Sequence, residues 1–253
     1  IIVSLVGSEM CIRDRYHGAN RLGANSLLSC IYTGLMMGPG VNNYLKNLPE
    51  AASQLPSSVF ENDEKRWKER FSDISSMKGS ENPYALHSEL AEAMISNVLI
   101  VRENDKLQST LDVIEDIESR WKDIECVDTQ DWSNPVPSFV NQLWNMIQLS
   151  KIITMGALKR DEFRGSHYKP EFDLNQPDDF DPADYLEYEE QKANGGVHKD
   201  QFAPSHVDYM ERFEKNNEDW LKSSIATYNN GKPAVDFESV DTSLIAPRPR
   251  KYD

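Results

Sequence analysis

Apolar residues recur at intervals of three and four along most of the first 165 positions, the spacing of one face of an α-helix. Leu27, Leu28, Ile31 and Leu35 share such a face, Asn25 or Ser26 can cap it, and Gly38, Pro39 and Gly40 are expected to end it. The stretch Asn47 to Ser58, with Pro49 and Pro56, reads as a connector or a short helical turn. In "ENDEKRWKERFSDI", Trp67 and Phe71 give a charged surface helix one apolar edge. A stronger helix starts where Asn82 caps and Pro83 takes the first helical position, with Leu86, Leu90, Met94 and Val101 as its buried stripe. Leu107, Leu111, Ile114, Ile117 and Trp121 mark the next one. After a break at Asn134 to Pro137, Phe139, Leu143, Ile147, Ile153 and Leu158 mark a third. Three long amphipathic helices with short breaks predict an antiparallel helical bundle between about Asn82 and Arg164.

Beyond Pro170 the pattern changes. Glu171 to Glu190 is rich in acids (among them Asp178, Asp179, Asp181, Asp184, Glu187, Glu189 and Glu190) and has no Lys or Arg, which predicts an extended surface arm or insertion. "DYMERFEKNNEDWLKSSIATY" is weakly helical at first, and short β-like runs follow around Ala234–Phe237 and Ser243–Ile245. The end, "APRPRKYD", gathers Arg248, Arg250 and Lys251. Trp67, Trp121 and Trp144 lie on helical faces and are read as core. The fold class is therefore mainly α, with an irregular C-terminal tail.

The 253 residues are 39% hydrophobic with a formal net charge of −15, which argues against nonspecific binding to nucleic acid or to an anionic lipid surface. Cys11, Cys30 and Cys126 are few and widely spaced, so neither a disulfide framework nor a structural zinc site is indicated. His17, His87, His167, His198 and His206 show no metal-binding spacing, and no metal ligand is assigned.

The segment "HGANRLGANSLL" is where chemistry could sit. A helix start offers free N–H groups and the positive end of the dipole. Gly18 and Gly23 let the backbone approach a flat ligand, and Arg21 brings a planar cation that can grip a carboxylate at two points. That set suits an anionic substrate held against a cofactor. A tight turn with a surface arginine fits the same residue types.

"YHGANRLGANSLLSCIYTGLMMGP" resembles the active-site segment of the flavoprotein subunit of succinate dehydrogenase and fumarate reductase. "NPYALHSELAEAMISNVLIVREN" is similar to the opening of that family's helical domain, "LSKIITMGALKRDEFRGSHYKPEF" to its "R-x-E-S-R-G-A-H-Y" segment, and "VDTSLIAPRPRKY" to its C-terminus. The continuation Tyr168 to Phe172 is closest to the bacterial menaquinone-linked type. The resemblance implies FAD as cofactor and hydride transfer between succinate or fumarate and the flavin. Electrons would pass to an iron–sulfur subunit, a cytochrome b-type membrane anchor and, indirectly, quinone. The subunit would be peripheral, on the cytoplasmic side of the bacterial inner membrane.

It also implies roles by position. Arg21 is the arginine that binds the dicarboxylate, and His17 matches a family histidine for which packing or a hydrogen bond fits as well as substrate contact. Ser26 and Leu27 meet the flavin pyrimidine ring, with Asn25 beside them as the helix cap. No residue of the chain is assigned as a catalyst. Arg160, Arg164 and His167 keep family positions, whereas Phe163 and Ser166 replace the usual Ser and Ala. The three are read as an ion-paired network fastening the helical domain to a flavin domain, with a solvated charge run as the alternative. The family's covalent flavin histidine, proton-delivering arginine and second substrate histidine have no counterpart, so the chain is expected to be a C-terminal portion and inactive alone.

The expected division is a leader over 1–15, the end of an FAD-binding domain over 16–45, a helical domain over 46–170, the acidic insertion over 171–215 and a tail over 216–253. Leu5 to Arg15, "LVGSEMCIRDR", is similar to a translated transposase adaptor and is expected to be non-native, the alternative being a short N-terminal strand. An L-aspartate oxidase-type flavoprotein, which shares a similar "HGANRL" segment, and a non-catalytic helical interaction module are the competing readings.

Overall fold

The computed structural model describes residues 25–128, 130, 132–229, 232–243 and 246–249, the side chains of 25–29, 52 and 229 excepted. Seven α-helices and one two-stranded sheet make the described chain mainly α, as predicted. It divides into two compact units, residues 1–92 with 112–149, and residues 93–111 with 150–253.

In the first unit, α1 spans Asn25–Asn47 and runs through Gly38, Pro39 and Gly40, which were expected to stop it. The positive-φ glycines of the described chain are Gly165, Gly195 and Gly196, so neither Gly38 nor Gly40 adopts the left-handed conformation that closes a helix. Ile31, Leu35, Met36, Val41, Tyr44 and Leu45 are all exposed along it. Helix α2, Ser57–Ser75, buries Ile74 but leaves Trp67 40% exposed against Phe71, so Trp67 is not a core residue.

Helix α3, Pro83–Asn97, starts as its sequence dictates. The Asn82 side-chain oxygen accepts from the amides of Tyr84 (2.9 Å) and Ala85 (3.3 Å), and Leu86 and Leu90 are buried. Helix α4, Asn104–Arg120, buries Ile114 and Ile117 here, and α5, Val136–Lys159, buries Val140, Leu143 and Ile147. The Trp121 indole donates to the Val140 carbonyl at 3.0 Å and its ring lies 4.8 Å from that of Trp144. Arg120, at the end of α4, forks onto both oxygens of Glu81 at the head of α3 and reaches Glu89 and Asp116. Those pairings set successive helices antiparallel.

Residues 77–81 pair with 123–126 through backbone hydrogen bonds, including Ser80 N to Asp123 O at 2.8 Å. Gly79 sits so close that a Cβ there would lie 1.9 Å from the Asp123 carbonyl oxygen. Only glycine permits that approach.

In the second unit, Val98, Leu107 and Ala157 form a small core with Met94 and Leu158 against it. Val101 is 42% exposed, because α3 stops at Asn97 and Val101 pairs instead with Tyr168 as an isolated bridge. Ile153 is also exposed. The face set by Leu143 and Ile147 continues onto Ser150, Thr154 and Ala157, and the Thr154 hydroxyl is satisfied by the Ser150 carbonyl at 2.8 Å.

The acidic segment is folded, contrary to the extended arm its charge predicted. Asp181 caps α6, Pro182–Ala193, by accepting from Ala183 N at 2.8 Å. With α7, Pro204–Trp220, it encloses a core of Phe180, Tyr185, Tyr188, Val207, Tyr209 and Met210. The acids alternate with aromatics at helical spacing, so one side packs while the other stays charged. Burial pushes the Tyr209 hydroxyl up to about 12.

Strands β1, Lys222–Asn229, and β2, Lys232–Ser239, then form an antiparallel hairpin in which Ala226 faces Val235. The run predicted at Ala234–Phe237 lies in β2, whereas β1 was not marked by the pattern. Of the second predicted run only Ser243 is among the described residues, and it is not in a strand.

Candidate functional site

Two features are built for something other than core packing. The first is the start of α1. Asn25, Ser26 and Leu27 are its first three residues, and the first turn contains no acidic side chain. The dipole of a 23-residue helix therefore meets no negative charge from its own first turn. Backbone amides there can oppose an anionic group. Arg21 and His17 lie outside the described residues.

The second feature is a charged cluster in residues 158–169, fixed by a tight turn. Arg164 and His167 exchange both backbone hydrogen bonds at 3.0 Å, with Gly165 between them at φ 57°, a conformation that favours glycine. The turn aims Arg164 Nε at Glu162 Oε2, 2.8 Å away, and its Nη2 at Asn217 Oδ1, 2.9 Å away. Arg160 donates to the other Glu162 oxygen, to the Trp220 carbonyl at 3.0 Å and to the Lys222 carbonyl. Glu162 is wholly buried between the two guanidiniums.

Lys169 is wholly buried as well. Its ammonium has three donors and finds three acceptors: Asn104 Oδ1 at 2.7 Å, Asp161 Oδ1 at 2.9 Å and the Leu158 carbonyl at 3.1 Å. His167 joins the two halves. Its Nε2 lies 2.8 Å from the Arg160 carbonyl, which can only accept, so Nε2 carries the proton. Nδ1 then accepts from Arg102 Nη1 at 2.6 Å. Burial, helped by the charges of Arg102, Lys169 and Arg160, holds the imidazole down to about 4, so it is neutral at pH 7.

The structure thus brings Arg160, Arg164 and His167 together as the sequence predicted, and the reading of a solvated charge run is set aside by the burial of Glu162 and His167 between half-buried arginines. Their contacts fasten the end of α5 to α7 and β1. Sequence reasoning missed Glu162, Lys169, Asp161, Asn104 and Arg102. The alternation Arg160-Asp161-Glu162 was the available signal for two of these. Nothing local marks the contacts of Lys169 with Asn104 or of Arg102 with His167, each pair 65 residues apart.

Among the described residues no cluster of His, Cys, Asp or Glu is placed to share a metal ion, and no helix is long and apolar enough to cross a membrane.

Residues 87–252 match the family described as fumarate reductase flavoprotein C-term. The succinate dehydrogenase flavoprotein subunit of Bacillus subtilis is 41% identical over 238 residues, covering 93% of this chain and 34% of that protein. The 8-methylmenaquinol:fumarate reductase flavoprotein subunit of Wolinella succinogenes is 27% identical, over 76% of this chain and 30% of that one. Among solved structures, FrdA of E. coli quinol fumarate reductase superposes with a TM-score of 0.66 at 20% identity, over 92% of this chain and 33% of that one. The Mycobacterium smegmatis Sdh1 complex superposes with a TM-score of 0.53 at 29% identity, over 62% and 25%. The chain spans about a third of the length of the curated relatives it matches. With the mainly helical architecture and the Arg-Asp-Glu-Phe-Arg-Gly-Ser-His turn in place, this chain belongs to the fumarate reductase flavoprotein C-terminal family.

Proposed function

We propose that this chain is the C-terminal part of the flavoprotein subunit of a succinate dehydrogenase or fumarate reductase, catalysing hydride transfer between succinate or fumarate and FAD. The observation that carries the reading is the family match over 87–252 together with 41% identity to the B. subtilis subunit over a span that includes the Arg21 segment. Residues 16–45 form the end of an FAD-binding domain and 46–170 the helical domain. The subunit is peripheral, on the cytoplasmic side of the bacterial membrane, and works with an iron–sulfur subunit and a cytochrome b-type anchor that serve quinone. The menaquinol named for the W. succinogenes relative supports the menaquinone-linked type.

FAD, when bound, supplies the hydride acceptor for succinate oxidation or, reduced, the hydride donor for fumarate reduction. The chain's own residues bind and orient. The Arg21 guanidinium holds one substrate carboxylate at two points, so that the carbon carrying the moving hydrogen faces the flavin. His17 serves either as a second substrate contact or as a packing and hydrogen-bonding residue. The amides of Ser26 and Leu27, beside Asn25 in the first turn of α1, oppose negative charge at the pyrimidine end. The proton-transferring groups belong to the part of the subunit this chain does not span, which makes the chain alone inactive.

The test is Arg21→Ala and Arg21→Lys in the intact complex. Turnover is expected to fall about a hundredfold or more, with parallel loss of oxaloacetate affinity, and Lys should restore little because it lacks the fork. Unchanged turnover and oxaloacetate binding in Arg21→Ala would refute the assignment.

A further inference from the structure

His206 is the third residue of α7 and only 7% exposed. Its Nδ1 lies 2.9 Å from Asp184 Oδ2, in the first turn of α6, and its Nε2 lies 3.2 Å from Asp179 Oδ1, in the strap 173–181 that leads into α6. The Phe180 ring meets it edge-on at 5.4 Å. An ionised carboxylate can only accept, and a neutral imidazole has one N–H to give. Both contacts are hydrogen bonds only when the ring carries two protons; with one, a nitrogen lone pair faces a carboxylate.

We propose that His206 is a proton-dependent latch that fastens the strap 173–181 to the α6–α7 pair, closed when both ring nitrogens hold a proton and opened when one is lost. The strap has a second, permanent tie from the same helix, since Arg212 donates to the Leu174 carbonyl at 2.7 Å. That tie secures its first part, and the latch secures its last. The neighbouring charges are otherwise engaged: Asp208 pairs with Arg212 at 2.8 Å, and Asp181 caps Ala183. Burial opposes protonation of the imidazole, but the bonds and charges of Asp179 and Asp184 outweigh it and the net displacement is upward from 6.5. The latch therefore contributes fully below the ordinary histidine value and is lost as pH rises through the raised one. Asp179 leaves first, because its contact is the longer and its side chain is 80% exposed, against 34% for Asp184.

The test uses the full chain. Imidazole resonances are followed by NMR across pH, and amide exchange, corrected for intrinsic rate, is compared at about pH 6 and pH 9. His206 should titrate above its ordinary value. Protection of strap amides such as Phe180, which donates to the Pro177 carbonyl, should fall about threefold more than that of α3 amides, the scale of a partly exposed ion pair. His206→Asn should abolish this pH step. Asp179→Asn, a surface change that leaves the core intact, should shrink the step and move the His206 titration down. The proposal is overturned if His206 titrates at or below its ordinary value, if strap protection does not change with pH, or if Asp179→Asn leaves both unaltered.

Discussion

Replacing Glu162 by Gln keeps the shape of a fully buried side chain and removes the one charge that Arg160 and Arg164 share. One carboxylate oxygen becomes an N–H₂ group, so one guanidinium faces a donor where it had an acceptor. Breaking a buried charge pair from one side costs about 3–5 kcal/mol, and a charge-assisted hydrogen bond alone is worth about 1.5–3 kcal/mol. The arginine side chains retain 14% and 28% exposure, which lets water reach them and places the expected loss near the lower end, about 3 kcal/mol. For a chain of this size that corresponds to roughly 6–12 °C in Tm. Urea unfolding read by far-UV circular dichroism and tryptophan fluorescence measures it, provided the m-value stays constant. The double variant Glu162→Gln/Arg164→Met should cost about 1–2 kcal/mol less than the sum of the singles, since each removes the same contact. A Glu162→Gln loss below about 0.5 kcal/mol, the size of an ordinary surface change, would refute the reasoning.

His167 gives a pH dependence of known sign. Its native value is held down to about 4 against 6.5, so the unfolded chain binds the proton first, and stability should be constant above about 6.5 and decline by about 3 kcal/mol as pH falls to about 4. His167→Asn should flatten that difference in urea midpoints measured at several pH values; equal slopes in both proteins would count against it. Gly79→Ala should cost about 2 kcal/mol or more in thermal unfolding, because the new Cβ displaces the Asp123 backbone; a neutral effect would mean that the 77–81 and 123–126 segments do not pair as described. The exposed row on α1 should make the isolated chain self-associate, and Leu35→Lys with Leu45→Lys should increase the monomer fraction in sedimentation, whereas a clean monomer without substitution would contradict this.

The helices of the bundle were legible because their burial is one-sided and regular. Leu86, Leu90, Leu107, Ile114, Ile117, Leu143 and Ile147 are all buried, as the spacing of apolar residues required. The pattern failed where one rule displaced another. Ile153 and Val101 are apolar but off the buried face or past the helix end, and Ser150 and Thr154 hold that face, the Thr154 hydroxyl bonded to the Ser150 carbonyl. Charge misled in the acidic segment, where Tyr185, Tyr188 and Tyr209 supply a core that net charge conceals. At the charged cluster, Arg160, Arg164 and His167 were recognisable by position, but the buried Lys169 and Glu162 meet Asn104 and Asn216, residues brought from far along the chain. No local spacing encodes those encounters.

Lys169 carries a consequence for labelling chemistry. Acylating reagents need an accessible amine, and this one is sealed from solvent and committed in three directions. Reagents should modify solvent-facing lysines such as Lys192 and Lys199 while sparing it. Its acquisition of a tag would then time the opening of the unit that surrounds it, making a single lysine an internal clock for the loss of native structure.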